Sequence, residues 1–68
     1  MNYKKLYRSG EIVEIGGRYM CLACGENTLF NKGDIFNDCS NCEAGTVKGP
    51  AGFEEGIEFW KLVSVITE

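Results

Sequence analysis

Short β-branched and apolar runs bounded by glycine-containing turns recur along this 68-residue chain, the pattern of short strands. "EIVEI" (11–15) is β-branched and apolar and predicts a strand. Gly16-Gly17 follow, a pair that readily supplies the positive φ of a two-residue hairpin turn, and "RYMC" (18–21) runs back as the partner strand. "TLF" (28–30) and "DIF" (34–36) flank the turn signal Asn31-Lys32-Gly33 and predict a second hairpin. Residues 1–10 place Tyr3, Leu6 and Tyr7 among charges and read as extended chain or a short turn. Residues 43–56 hold Gly45, Gly49, Gly52, Gly56 and the only proline, which predicts a loop with room for a short strand at Thr46-Val47. "IEFWKLVSVI" (57–66) is the longest strand candidate. Helical periodicity extends over no more than about two turns, so the chain reads as mainly β.

The last strand carries apolar residues on both faces. Alternation puts Ile57, Phe59, Val63 and Val65 with Lys61 on one side, and Trp60, Leu62 and Ile66 with Glu58 and Ser64 on the other. One reading covers both faces with the N-terminal segment and the rest of the fold. A domain this small has little material for that, so we expect one face to be partly exposed and to serve a partner or a second copy. Phe59 and Trp60, with the acidic Glu54 and Glu55 just before them, are the candidate partner-binding residues.

Size makes a staple necessary. A chain this short buries only about 60% of its unfolded surface and has a marginal core. We read residues 1–68 as a single domain. "MNYKKLYRSGE" contains no apolar run of signal-peptide length, and no stretch approaches the roughly 20 apolar residues of a membrane span. The expectation is a cytoplasmic protein, where thiols stay reduced and cysteines serve metals rather than disulfides.

The staple lies in "YMCLACGENTLFNKGDIFNDCSNCEAG" (19–45), which holds all four cysteines as two Cys-x-x-Cys pairs, Cys21/Cys24 and Cys39/Cys42. A disulfide within one pair closes a small, strained, redox-active loop rather than a durable link. Thioredoxin-like chemistry lowers a cysteine pKa with a helix N-terminus, and no helical pattern follows either pair. A metal suits the spacing: one tight turn points two sulfurs at an ion, and two such turns complete a tetrahedron. Gly25 after the first pair allows the left-handed backbone of such a turn. Glu43 stands at the equivalent place in the second pair, with Gly45 two residues on.

"YMCLACG" and "CSNCEAG", with a hairpin between and a C-terminal strand containing Trp60, resemble the zinc-ribbon and rubredoxin-like families, which bind metal through four cysteines. "SGEIVEIGGRYMCLACG" with "KGDIFNDCSNC" is similar to small bacterial and phage zinc-ribbon proteins, mostly of unknown function. The resemblance covers roughly residues 9–45. It lacks the proline common before the second pair in those families. It implies a small metal-stapled, mainly β zinc ribbon, with two knuckles on hairpins (19–45), a C-terminal strand (57–66) and one Zn2+ per chain. Rubredoxins carry iron and shuttle one electron, which gives Fe as the alternative metal and electron transfer as the alternative function. Their inter-pair segment is usually much longer, and this chain has no histidine or carboxylate cluster for a second redox centre, which favours zinc.

Charge and composition narrow the function. The formal charge is −3, and four thiolates on one divalent ion take it to roughly −5. That disfavours phosphate backbones, whose affinity comes mostly from lysine and arginine. A nucleic-acid site would rest on Lys4, Lys5, Arg8, Tyr3 and Tyr7 alone. Four sulfurs leave a metal no open position for water or substrate, and the chain has no histidine to act as a base. We therefore expect no enzyme. The leading expectation is a non-catalytic interaction module that contacts another protein or itself through the C-terminal strand. One form of it is a small regulator or inhibitor of a larger protein.

Overall fold

The computed structural model describes residues 4–66. Four strands form one sheet: β1 (Leu6–Tyr7), β2 (Gly17–Cys21), β3 (Asn27–Phe30) and β4 (Trp60–Val65), in the order β1-β4-β2-β3 with every neighbour antiparallel. The described residues contain no helix. This is the small, mainly β architecture with clustered cysteines that the pattern predicts.

The strand pairing differs from the predicted hairpins in two places. β2 begins at Gly17, so Gly16-Gly17 is not a turn between 11–15 and 18–21. β2 instead pairs with β3, from Gly17 opposite Phe30 to Met20 opposite Asn27, and the turn between them is the first cysteine pair itself. A glycine is needed at 17 for another reason. A Cβ there would lie 2.2 Å from the Ser64 carbonyl oxygen, so β4 can approach β2 only across a residue without one. The "DIF" segment does not fold back on β3 either. Residues 10–13 run antiparallel to 33–36, with hydrogen bonds Gly10 N–H to Phe36 O (2.8 Å), Phe36 N–H to Glu11 O (2.9 Å), Val13 N–H to Asp34 O (2.7 Å) and Gly33 N–H to Val13 O (2.8 Å). This two-segment arm has one ladder bridge, Ile12 with Ile35.

The arm covers one face of the sheet. Tyr7, Tyr19, Phe30, Trp60 and Leu62 point inward from the strands, and Val13 and Phe36 close over them. The rings interlock: Tyr19 meets Phe36 edge to face at 4.9 Å and Phe30 at 5.9 Å, and Phe30 meets Trp60 at 5.2 Å. Such pairs add about 0.5–1.5 kcal/mol beyond their area. The polar ends are satisfied. Trp60 Nε1 donates to the Asn37 carbonyl (2.8 Å), and the Tyr19 hydroxyl donates to the Ile15 carbonyl.

β4 departs from simple alternation. Arg18 pairs with Ser64 and Tyr19 with Leu62, so Val63 is an extra residue in a bulge. Past the bulge the faces exchange. Val65 packs on the core rather than beside Lys61, and Ser64 lies outward beside Arg18 rather than with Trp60. The strand is shorter than 57–66, and Thr46-Val47 lies in a turn rather than a strand. Phe59 and Trp60 are both buried, at 0% and 1% exposure. The expected division of the two aromatics between core and partner surface is thereby corrected: Phe59 precedes the strand, where alternation does not apply, and turns inward over Gly45. Lys61, Val63 and Ser64 are exposed, and Glu54 and Glu55 are exposed in the loop ahead of the strand.

Candidate metal centre

The two cysteine pairs form turns with the same hydrogen bonds. In the first, Cys21 N–H donates to Glu26 O (2.8 Å) and Gly25 N–H to Cys21 O (2.7 Å). In the second, Cys39 N–H donates to Ala44 O (3.0 Å) and Glu43 N–H to Cys39 O (2.8 Å). The residue after each second cysteine is left-handed, Gly25 at φ 82° and Glu43 at φ 62°. That twist turns backbone amides towards sulfur: Ala23 and Cys24 N–H towards Cys21, Glu26 N–H towards Cys24, and Ala44 N–H towards Cys42. Amides aimed at sulfur favour the thiolate over the thiol.

The sheet and the loops bring the two turns together. Cys21 ends β2 opposite Trp60, and Leu22 N–H donates to Phe59 O (2.9 Å), which ties the first turn to the start of β4. The second turn is held by Gly45 N–H to Phe53 O (2.9 Å). Phe59 packs so closely on Gly45 that a Cβ there would come 2.8 Å from its ring.

The four Sγ atoms all lie within 4.8 Å of one another, with Cys21 to Cys42 and Cys24 to Cys39 at 3.7 Å. A disulfide would need about 2.05 Å. A regular tetrahedron around an ion with metal–sulfur bonds of about 2.3 Å has edges of about 3.8 Å. The donor set therefore fits a single tetrahedral ion with thiolate preference, and all four predicted residues, Cys21, Cys24, Cys39 and Cys42, are in the cluster.

The sulfurs differ in their surroundings. Cys21 and Cys39 are buried, Cys42 is half-buried and Cys24 is exposed. Burial pushes the Cys21 thiol up to about 12 and raises Cys42 as well. A hydrogen bond from the Asn41 side chain, with the Glu26 amide in support, lowers Cys24 to about 7. Asn41 fills a variable position of the second Cys-x-x-Cys pair, where the pattern requires no particular residue, and only the folded arrangement brings it to Cys24.

The other predicted site residues lie elsewhere. Phe59 and Trp60 belong to the packing beneath the cluster. Glu54 and Glu55 stand on the surface loop 50–58, and Glu55 borders a shallow concavity with Arg8, Asp38 and Gly45. Among the described residues, no helix is long and apolar enough to cross a membrane. Comparison with curated proteins gives no match, and comparison with solved structures gives none. A family model described as a zinc-ribbon containing domain matches residues 1–48, which include β1, β2, β3 and all four cysteines. The chain belongs to the family of zinc-ribbon containing domains.

Proposed function

We propose that this protein is a non-catalytic interaction module whose fold is held by one zinc ion on Cys21, Cys24, Cys39 and Cys42. The observation that carries the reading is the set of four sulfurs at tetrahedral spacing. Sulfur at every position leaves the ion no vacancy for water or substrate, so its contribution is structural. Zinc rather than iron is supported by the family. The chain's own residues prepare the thiolates through the knuckle amides and Asn41.

Absence of catalysis belongs to the same reading. Ser9 donates to the Phe36 carbonyl (3.5 Å), and among the described residues no hydrogen bond joins Ser9, Ser40 or Ser64 to a carboxylate. Among the described residues, the rings of Tyr7, Tyr19, Phe30, Phe36, Phe59 and Trp60 are buried and Phe53 is half-buried against the core, while the candidate Tyr3 lies outside the described residues. This supports a protein partner over a nucleic acid, since single-strand binding uses exposed stacking platforms.

Elemental analysis of the purified protein tests the metal, and one zinc per chain is expected. A red protein with stoichiometric iron would make it an electron carrier instead. Titration with single- and double-stranded oligonucleotides at low salt tests the partner class. Micromolar binding that falls steeply with salt would replace the interaction reading with a nucleic-acid one.

A further inference from the structure

The outer face of the sheet has no layer over it among the described residues. Cross-strand pairing sets Leu6, Lys61, Met20 and Asn27 side by side across all four strands, and Ser64, Arg18 and Leu29 in a second outward row. The bulged Val63 stands between the rows. Leu29 is 63% exposed and Val63 45% exposed, and Met20, Lys61 and Val63 line a shallow depression. The charges in these rows are Arg18 and Lys61, both positive. Neither forms an ion pair among the described residues, where the single pair is Lys5 with Glu14. On a chain with ten acidic and seven basic residues, this is an apolar surface framed by cations.

The same chain displays a complementary element. Glu54, Glu55 and Glu58 are exposed on the turn that precedes β4, and Ile57 between them is 41% exposed. The turn is closed by Ile57 N–H to Glu54 O (3.3 Å), and its flanks are tied to the fold by Gly45 N–H to Phe53 O (2.9 Å) and Phe59 N–H to Tyr7 O (2.9 Å). Within its own chain its Glu55 borders Arg8, Asp38 and Gly45 instead of Arg18 and Lys61.

We propose that the outer sheet face of one copy receives the Glu54–Glu58 turn of a second copy. The glutamates meet Arg18 and Lys61, and Ile57 enters the depression beside Met20 and Val63. A two-fold axis makes both contacts at once and closes the assembly as a dimer. Among the described residues no aromatic side chain stands on this face, so it offers aliphatic contact and charge rather than base stacking. The inference rests on the reading of the protein as an interaction module and names its partner as a second copy of this chain.

Sedimentation equilibrium of the metal-loaded full chain tests it. At about 10 mM salt, where the screening length is about 30 Å, the expected mass is twice that of the chain. At about 1 M salt, with screening within about 3 Å, the dissociation constant should rise at least about tenfold. Arg18→Glu/Lys61→Glu and Glu54→Lys/Glu55→Lys/Glu58→Lys should each remain folded, carry one metal per chain and be monomeric. Mixed together, the two should associate, because the charges are opposite in both contacts: the reversed face meets the reversed turn, and the native face meets the native turn. A metal-loaded wild type that stays monomeric at every concentration overturns the inference, and leaves the zinc and interaction readings to elemental analysis and oligonucleotide titration. Dimerisation unchanged by both sets of substitutions, or a mixture that stays monomeric, also overturns it. If the double reversal fails to load metal, Arg18→Gln/Lys61→Gln takes its place and should weaken association at least about tenfold.

Discussion

Gly25 and Glu43 occupy equivalent places in the two knuckles. Each lies four residues after a buried cysteine, gives its amide to that cysteine's carbonyl, and takes a left-handed φ, 82° and 62°. Glycine adopts this conformation freely, whereas a residue with a Cβ is held there at a cost of about 1–2 kcal/mol. The second knuckle therefore carries strain that the first does not.

Glu43→Gly should relieve that strain. The wild-type residue disfavours its native conformation, and glycine does not, although glycine also loses more entropy on folding. The net expectation is a gain of about 0.5–1 kcal/mol, read as a raised midpoint in denaturant melts of the metal-loaded protein. Gly25→Ala should lose about 1–2 kcal/mol in the same measurement. Equal and negligible effects would show that the left-handed turns are not required.

Metal removal should unfold the protein. Structural zinc in small domains contributes about 10–16 kcal/mol of apparent binding free energy near neutral pH, against a typical domain stability of about 5–15 kcal/mol. Chelation should abolish the β-sheet circular dichroism, and Cys24→Ser should mimic it. Retained structure after complete metal loss would refute the metal as the staple.

Zinc affinity should rise with pH. Without metal the chain unfolds, and an unfolded cysteine thiol, with its ordinary value of about 8.5, is mostly protonated at neutral pH. Zinc takes thiolates, so binding expels those protons, and each proton expelled strengthens binding about tenfold per pH unit gained. Competition with a chromophoric chelator between about pH 6 and 8 should show that sign, and calorimetry in buffers of different ionisation enthalpy should show proton release. A pH-independent affinity would contradict it.

Phe59→Ala and Trp60→Ala should both destabilise the metal-loaded fold, by about 3–5 kcal/mol each, because both side chains are buried. Trp60→Phe keeps most of the packing but leaves the Asn37 carbonyl without its donor, a loss of about 1–3 kcal/mol. Denaturant melts of the three variants separate ring packing from the hydrogen bond.

Gly17→Ala should be costly although its neighbour Gly16 makes no contact as close. A methyl at 17 meets the Ser64 carbonyl at 2.2 Å, and at 16 the nearest atom is 3.2 Å away. Separating β2 from β4 should cost about 1–3 kcal/mol in a melt. Faster amide exchange along both strands should accompany it.

The cysteine pairs were legible because metal ligation constrains residue type and local spacing together. Cys21, Cys24, Cys39 and Cys42 could be named as a group before any strand was placed. The β character was legible for a similar reason: β-branched and aromatic runs between glycines leave little else. The pairing was not. Gly16-Gly17 permits a hairpin, but the Cys21–Gly25 knuckle is also a turn, and local pattern does not rank the two. The tertiary structure chose the knuckle, which sends residues 10–13 to pair with 33–36 and lays Phe36 and Val13 over Tyr19. The bulge at Val63 and the inward turn of Phe59 were equally hidden. Period-two alternation predicts faces only along an unbroken strand. Where that strand begins and where it bulges depends on chain segments distant in sequence, as Gly17 shows by admitting the Ser64 carbonyl.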